Sequence, residues 1–269
     1  MPSDRSLHHV DLADVSVCYS TAGSGPHVVL VHGLGQDQSM WDDVRRELPD
    51  FTTIAYDIRG HGGSSLGEAN GTLAQLADDL IAVLEETGPA TVIGFSLGGS
   101  IALWAASARP DLMRTVIAVA TSSVVGSAAA SALADRAAIF GSGDEDAIRA
   151  SLLGDTLSQL AGADIDPEPI VESRVAAVGD GRGYVNGAHA VISMRTDSLN
   201  ERLGLITTPT LIVSGENDAW CPRRAADIML EQLPTASFIE LPGVGHLVTD
   251  AAPQALVSAV RRWLGEELS

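Results

Sequence analysis

The sequence contains no lysine: its 16 strongly basic residues are all arginines, set against 35 aspartates and glutamates. The formal net charge is therefore −19 at pH 7. Nucleic acids and anionic membranes attract proteins through basic surfaces, so we expect neither to be a partner of this chain. The acidic surface favours solubility and carries little information about the fold.

Cysteine and long apolar runs are scarce as well. Cys18 and Cys221 form no CxxC pair and are too few for a disulfide framework, so we expect both thiols to be reduced. No stretch reaches the ~18 continuous apolar residues that a membrane-spanning helix requires. The N-terminal residues lack the apolar core of a secretory signal. These absences predict a cytoplasmic protein.

Motifs for cofactors and metals are also missing. The glycines of "GLG" at 33–35 lack the third glycine and the downstream acidic residue of a dinucleotide-binding fingerprint. There is no P-loop, and no HxxxH motif or cluster of cysteine and histidine indicates a metal site. The sequence therefore predicts neither a cofactor nor a metal ion.

What the sequence does contain is an alternation of short β-branched runs with helical patterns. A pair of short strands is predicted within 8–20, followed by strands at 27–33, 51–57, 91–95, 115–120, 208–215 and 236–241. Helices are predicted at 40–48, 72–88, 97–108, 222–233 and 253–264. This alternation favours a parallel, doubly wound α/β sheet with right-handed crossovers.

The alternation breaks between 122 and 203, where the chain is rich in Ala, Gly, Ser and Asp and has a helical pattern without a clear strand. We therefore predict one core made of 1–121 and 204–269, and a helical cap made of 122–203. An insertion at this point of the sheet should lie over the carboxyl ends of the strands, where open α/β sheets bind their ligands.

The most informative stretch is "TVIGFSLGGS" at 91–100, in which Ser96 stands between Gly94 and Gly98. A GxSxG pattern between a buried strand and a helix is typical of a sharp, strained turn. Glycine is needed two residues before and two after the serine, because larger side chains would collide there. Such a turn holds one hydroxyl exposed above the sheet, so Ser96 is the predicted nucleophile.

A serine nucleophile needs a base, and the base needs a carboxylate to orient it. His246 follows the last predicted strand in "GVGHLV", at the same sheet edge as Ser96, and is the predicted base. Asp218 in "GENDAWCP" is the predicted orienting carboxylate, with Glu216 as the fallback. His32 and His61 lie in glycine-rich turns, where we expect hydrogen bonds that stabilise the loops.

Acyl transfer also requires donors for the oxyanion. The backbone N–H of Leu97, directly after the nucleophile, is one candidate. The N–H of Leu34, in the "HGLGQD" loop, is the other. His189, within the predicted cap, is a candidate for a core or pocket-lining side chain.

The segments "HGLGQDQSMW", "YDIRGHGGSS", "GFSLGG", "GENDAWCP" and "GVGHLV", in this order, resemble the α/β-hydrolase superfamily over nearly the whole chain. The resemblance implies a sheet of about eight mostly parallel strands, helices on both faces and a helical cap insertion. It also implies that Trp41 lies near the acyl pocket, and gives the residues of "DIRGHGGSS" packing roles.

Within the superfamily, the sequence is most similar to esterases and lactonases of the 3-oxoadipate enol-lactonase type. That resemblance implies a substrate carboxylate, which the cap arginines could hold. These arginines are Arg136, Arg174 and Arg195. The strong negative field of the protein opposes an anionic substrate unless one arginine faces inward, which favours a neutral ester or lactone.

The sequence therefore predicts a serine hydrolase that cleaves a small carboxylic ester or lactone through an acyl-enzyme on Ser96. Two alternatives stay open. The same three residues could perform cofactor-free perhydrolysis, as in haloperoxidases, or hydrolysis of a carbon–carbon bond. The chain could also be a ligand-sensing protein on a hydrolase scaffold. The oligomeric state is not predicted.

Overall fold

The computed structural model describes residues 6–12, 14–233 and 236–267. Eight strands form one sheet in the order β1-β2-β4-β3-β5-β6-β7-β8. The strands are β1 (Ser6–Asp11), β2 (Ser16–Ala22), β3 (His27–Val31), β4 (Thr52–Tyr56), β5 (Ala90–Phe95), β6 (Met113–Val119), β7 (Thr210–Gly215) and β8 (Ala236–Leu241). β1 and β2 form an antiparallel hairpin, β2 pairs antiparallel with β4, and all other pairs are parallel. The predicted eight-stranded, mostly parallel sheet is therefore confirmed.

The sheet is buried on both faces because successive side chains of its central strands enter two different hydrophobic layers. Val29 and Val31 pack with helices α2 (Leu73–Thr87) and α3 (Leu97–Ala108), while Val28 and Leu30 pack with the terminal helix α11 (Pro253–Glu267). The layer on the α2 side also receives α9 (Arg223–Gln232), and the opposite layer receives α1 (Asp42–Arg46) and α10 (Val248–Ala251). Continuous β-branched runs are what strands covered on both faces require.

Local signals account for most helix boundaries. The Thr72 side chain accepts a hydrogen bond from the Gln75 N–H, and Gly88 ends α2 with φ of 88°, as the sequence predicts. The predicted helix at 40–48 is wrong in detail. A 3-10 turn at Gln38–Trp41 comes first, because Asp37 caps the Ser39 N–H, and α1 then makes little more than one turn.

Five α-helices lie between β6 and β7, in the segment that the sequence predicts to be helical. They are α4 (Ser127–Gly141), α5 (Glu145–Leu160), α6 (Glu168–Val178), α7 (Arg182–Ser193) and α8 (Leu199–Arg202). A third hydrophobic cluster, centred on Phe140, Leu152 and Tyr184, holds α4 to α7 together. The division of the chain into a core and a cap stays a prediction, and residues 122–203 form the inserted segment. No helix in the described residues is long and apolar enough to cross a membrane.

Candidate active site

Ser96 lies at the turn between β5 and α3 with φ of 51° and ψ of −114°, a conformation that side-chain-bearing residues rarely adopt. The flanking glycines make this turn possible. A Cβ atom at Gly94 would overlap the Gly98 carbonyl, and one at Gly98 would overlap the Val31 carbonyl of β3. The strained geometry at Ser96 is therefore fixed by close approaches of backbone to backbone, and it leaves the hydroxyl accessible.

His246 lies in the loop between β8 and α10, and its ring joins the other two predicted residues. Its Nε2 atom is 3.2 Å from Ser96 Oγ, and its Nδ1 atom is 2.8 Å from Asp218 Oδ2. His246 and Asp218 are both buried. The structure thus brings together Ser96 and His246, which are 150 residues apart in sequence, with Asp218 on the far side of the histidine ring.

Asp218 is held as an ionised hydrogen-bond acceptor. Burial acts to raise its pKa, but the hydrogen bond and charge of His246 and the N–H groups of Trp220 and Cys221 outweigh burial and leave the pKa below its usual value. Both N–H groups donate to Oδ1 at 2.8 Å, which leaves Oδ2 for the histidine. Glu216, the fallback, is exposed and accepts a hydrogen bond from the Gly243 N–H instead.

The two predicted oxyanion donors both border the same space as Ser96. Leu97 is the first residue of α3, where a backbone N–H has no acceptor within the helix. Leu34 lies in the loop after β3, and both leucines line the cavity with Ser96. This arrangement matches the predicted placement of the donors, while their role stays a prediction.

The loop that carries Leu34 is supported from below by His32 and His61, as the sequence predicts. His32 accepts a hydrogen bond from the Ile58 N–H at 2.8 Å and donates to the Gly33 carbonyl at 2.7 Å. His61 Nε2 accepts from the Gly35 N–H at 3.4 Å. Both rings are buried, and burial lowers the pKa of His32 to about 4 and that of His61 to about 3. The rings are therefore neutral and act as fixed donors and acceptors.

A cavity of about 700 Å³ opens above Ser96, between the sheet and the inserted segment. Most of its wall is apolar. This part of the wall includes Val124, Val125, Leu133, Val191, Met194 and Ile228. One region is polar and contains Arg136, Asp155, Arg174 and Tyr184. Such a cavity suits a small, largely apolar molecule with a polar group placed at one side.

The model of the family described as "Alpha/beta hydrolase family" matches residues 28–259, most of the chain. The chain is an α/β-hydrolase. This hydrolase is 26% identical over 267 residues to 2-(acetamidomethylene)succinate hydrolase of Mesorhizobium japonicum, covering 95% of this chain and 94% of that protein. It is 28% identical over 254 residues to 3-oxoadipate enol-lactonase 2 of Acinetobacter baylyi, covering 92% of each.

Solved structures agree with this assignment. The crystal structure of a hydrolase from Pseudomonas aeruginosa matches with a TM-score of 0.83 and 27% identity, over 98% of this hydrolase and all of that chain. The resemblance to the superfamily that its motifs indicate is therefore confirmed.

Two predicted pocket residues of this hydrolase lie elsewhere. Trp41 is fully buried in the hydrophobic layer on the α11 side and does not reach the cavity, because the 3-10 turn directs its ring into the core. His189 is exposed, and its Cβ atom packs beside Gly71 in the loop before α2. The predicted pocket positions of Trp41 and His189 are therefore corrected: both side chains pack outside the cavity wall.

Of the three arginines considered for a substrate carboxylate, Arg136 and Arg174 line the cavity and Arg195 does not. Arg136 forms an ion pair with Asp155 at 2.7 Å. Arg195 is exposed and donates to the Val125 carbonyl.

Sequence reasoning missed Trp220, two residues after Asp218. Its ring stacks on the His246 imidazole with 5.9 Å between ring centroids, and Phe95 contacts the imidazole at 5.1 Å. The Arg136 guanidinium lies 4.9 Å from the Trp220 ring centroid, on the cavity side. The only available signal was an aromatic residue directly beside the predicted carboxylate in "GENDAWCP".

Among the described residues, the side chains of Asp218, Cys221 and His246 are the group whose possible ligand atoms converge, within 4.8 Å of one another. Asp218 and His246 already form a hydrogen bond within this group. This hydrogen bond accounts for the approach of the Asp218 and His246 side chains to each other.

Proposed function

We propose that this hydrolase cleaves small carboxylic esters or lactones by acyl transfer to Ser96. The observation that carries the proposal is the pair of hydrogen bonds that joins Ser96, His246 and Asp218 at the floor of the cavity. In this arrangement a base accepts the serine proton while a buried carboxylate fixes the base in the correct tautomer. Ser96 itself stays accessible from the cavity.

The proposed reaction proceeds in two halves. His246 Nε2 takes the proton of Ser96 Oγ as this oxygen attacks the substrate carbonyl carbon, and the backbone N–H groups of Leu34 and Leu97 bind the resulting oxyanion. The carbon–oxygen bond to the alcohol then breaks, and His246 returns the proton to the leaving oxygen. A water molecule, deprotonated by His246, then attacks the acyl carbon. The bond from this carbon to Ser96 Oγ breaks, His246 returns the proton to the serine oxygen, and the acid is released.

The relatives support this class of substrate to different extents. The relative named as an enol-lactonase supports a lactone, whereas the other is named as a hydrolase of 2-(acetamidomethylene)succinate, an amide with two carboxylates, and supports hydrolysis only in general. The proposed cap, 122–203, supplies much of the cavity wall and with it the selection of the acyl chain. We propose a cytoplasmic enzyme that needs no cofactor.

A neutral ester or lactone is the first candidate substrate, because a protein with net charge −19 repels anions over long distances. The polar region of the cavity favours a second candidate, an ester that carries a carboxylate. Arg174 is buried there, and Arg136 lies beside it with its charge balanced by Asp155. A matched pair of substrates, one neutral and one acidic, separates the two candidates by their KM values.

The proposal is tested by initial rates on p-nitrophenyl esters of increasing acyl length, with wild type beside Ser96→Ala. We expect turnover of short esters by wild type and a loss of at least about 10³-fold in the variant. Ser96→Ala retaining more than about 5% of the rate would refute acyl transfer to Ser96. A wild type that a fluorophosphonate labels but that cleaves no ester would instead favour carbon–carbon hydrolysis or ligand sensing. A rate that depends on acetate and hydrogen peroxide would favour perhydrolysis.

A further inference from the structure

Arg174 in α6 occupies an unusual position for an arginine. Its side chain is only 4% exposed, and burial lowers its pKa. Within the described part of the chain, its hydrogen bonds go to neutral oxygens: Nη1 donates to Thr156 Oγ1 and Gln159 Oε1, both at 2.9 Å, and Nε donates to the Gly35 carbonyl at 3.3 Å. The charges of Asp155 and Asp250 favour the cation, but neither carboxylate is among these hydrogen-bond partners. Burying a cation whose hydrogen bonds all go to neutral groups is costly, which calls for a role other than fold stability.

The hydrogen bond from Arg174 Nε to Gly35 connects the arginine to the loop that carries Leu34, the proposed oxyanion donor. Gly35 directly follows Leu34 and has φ of 70°, so its carbonyl is held in a conformation that glycine permits. On one side of Gly35, its N–H donates to His61; on the other, its Cα faces the ring of Tyr184 and the guanidinium of Arg174. Arg174 therefore holds the carbonyl of Gly35, and His61 holds the N–H of the same residue.

The hydrogen bond from Arg174 Nη1 to Gln159 connects the arginine, through α5, to His246, the proposed base. The Gln159 backbone carbonyl, at the C-terminal end of α5, accepts the N–H of His246 at 2.8 Å and that of Leu247 at 3.3 Å. The two backbones touch closely, since a Cβ atom at Gly245 would overlap the Gln159 carbonyl. The preceding residue, Ser158, accepts a hydrogen bond from Trp220 Nε1, and Trp220 stacks on His246. The last turn of α5 thus holds both the backbone and one ring face of the histidine.

We infer that Arg174 is a positioning residue that ties the oxyanion loop to the histidine loop through the last turn of α5. This inference rests on the proposed function. The three donors of its planar guanidinium reach Gly35 on one side and Thr156 and Gln159 on the other, a geometry that no other side chain reproduces. Displacements of about 1 Å at catalytic groups cost about 10²-fold in rate, so loss of this connection should slow the chemical step.

A positioning arginine and a substrate-binding arginine have different effects on kcat and KM. A residue that binds a substrate carboxylate changes KM for acidic substrates and leaves neutral substrates unaffected. A residue that positions the oxyanion loop and the histidine changes kcat for every substrate, including a neutral one. It also changes the rate at which a fluorophosphonate reacts with Ser96, since that reaction needs the same base and the same oxyanion donors.

The test compares Arg174→Met, Arg174→Lys and Arg174→Ala with wild type on p-nitrophenyl acetate and with a fluorophosphonate probe, after thermal unfolding has shown which variants are folded. We expect Arg174→Met to lose about 10²-fold in kcat and in labelling rate with little change in KM. Arg174→Lys keeps the charge but not the planar fork, so we expect only partial recovery. Methylguanidinium added to Arg174→Ala should restore part of the rate. The matched control is Arg195→Met, an exposed arginine of the same segment that lies outside the cavity wall.

Folded Arg174 variants with kcat and labelling rate within about two-fold of wild type would overturn the inference. A rise in KM confined to a carboxylate-bearing ester would also overturn it and assign Arg174 to substrate binding. If Arg174→Met and Arg174→Ala do not fold, Arg174→Lys decides by the same comparison. Failure of wild type itself to react with esters or with the fluorophosphonate would refute the proposed function, which is a separate outcome.

Discussion

At the scale of single residues, the proposed chemistry depends on a carboxylate that accepts three hydrogen bonds. Asp218 receives the N–H groups of Trp220 and Cys221 on Oδ1 and the Nδ1 proton of His246 on Oδ2. This hydrogen bond places the Nδ1 proton of His246 on the side of the ring that faces away from Ser96, and it leaves Nε2 as the nitrogen that faces the serine hydroxyl.

We expect Asp218→Asn to reduce kcat by about 10³- to 10⁴-fold without unfolding the protein, because an amide can stabilise the wrong tautomer of His246. Steady-state rates on p-nitrophenyl acetate measure the loss, and circular dichroism checks the fold. The control is Glu216→Gln in the same loop, since Glu216 is exposed and its side chain accepts a hydrogen bond from the Gly243 N–H and not from His246. Equal losses in both variants would assign the effect to the loop and not to the carboxylate beside the histidine.

The sequence predicts the Ser96, His246 and Asp218 arrangement because each of these residues lies in the turn or loop that follows a strand of a parallel sheet. The carboxyl ends of parallel strands meet at one edge, so sequence position determines spatial position. Trp41 lies in a 3-10 helix of four residues and His189 in the 12-residue helix α7, and the direction of a helical side chain depends on how its helix packs. Their predicted pocket positions were wrong for that reason.

At the scale of helices and strands, prediction succeeded where boundaries have a local cause. The strand β8 and the helix α3 have the predicted bounds, and α2 differs by one residue at each end. The inserted segment could be predicted only as helical. In α4, Ala137 and Phe140 are the buried residues among many exposed alanines, so its sequence carries little periodicity from which bounds could be drawn.

Two helical glycines, Gly98 and Gly154, differ in the space around them, so we expect their replacement by alanine to have opposite effects on stability. Gly98 in α3 touches the backbone of β3, whereas Gly154 in α5 is exposed with open space around it. We expect Gly98→Ala to destabilise the fold by about 3 kcal/mol, the upper end of the usual cost of overpacking, or to prevent folding. We expect Gly154→Ala to stabilise it by about 0.5–1 kcal/mol, because alanine favours a helix interior. Urea unfolding measures both, and a tolerated Gly98→Ala would contradict the close approach of helix and strand.

At the scale of the whole molecule, the two buried histidines under the active-site loop make stability depend on pH near neutrality. Burial raises the pKa of Asp57, Asp79 and Asp250, which acts in the opposite direction at lower pH. Their pKa values, about 4 for His32 and about 3 for His61, lie below that of an unfolded histidine. As the pH falls through about 6.5, the unfolded chain binds protons that the folded chain does not, so folding stability decreases.

Between pH 7 and pH 5.5, we expect the free energy of unfolding to fall by about 1 kcal/mol for each of the two buried histidines. Urea unfolding at both pH values measures the change. A His61→Gln variant, if folded, should show about half of the loss, whereas His8→Gln, which removes an exposed histidine, should show all of it. A stability that is constant over this range would contradict neutral, buried rings at these positions.

The fold places Ser96, Asp218 and His246 at one edge of the sheet, beneath the cavity, and the central claim is a covalent reaction at Ser96. The most direct measurement is therefore mass spectrometry of the enzyme quenched during turnover of p-nitrophenyl acetate. We expect a burst of about one p-nitrophenol per chain and an acetyl group on the peptide that contains Ser96, with neither in Ser96→Ala. Turnover without an acetyl group on Ser96, or an acetyl group elsewhere with Ser96→Ala fully active, would contradict the account.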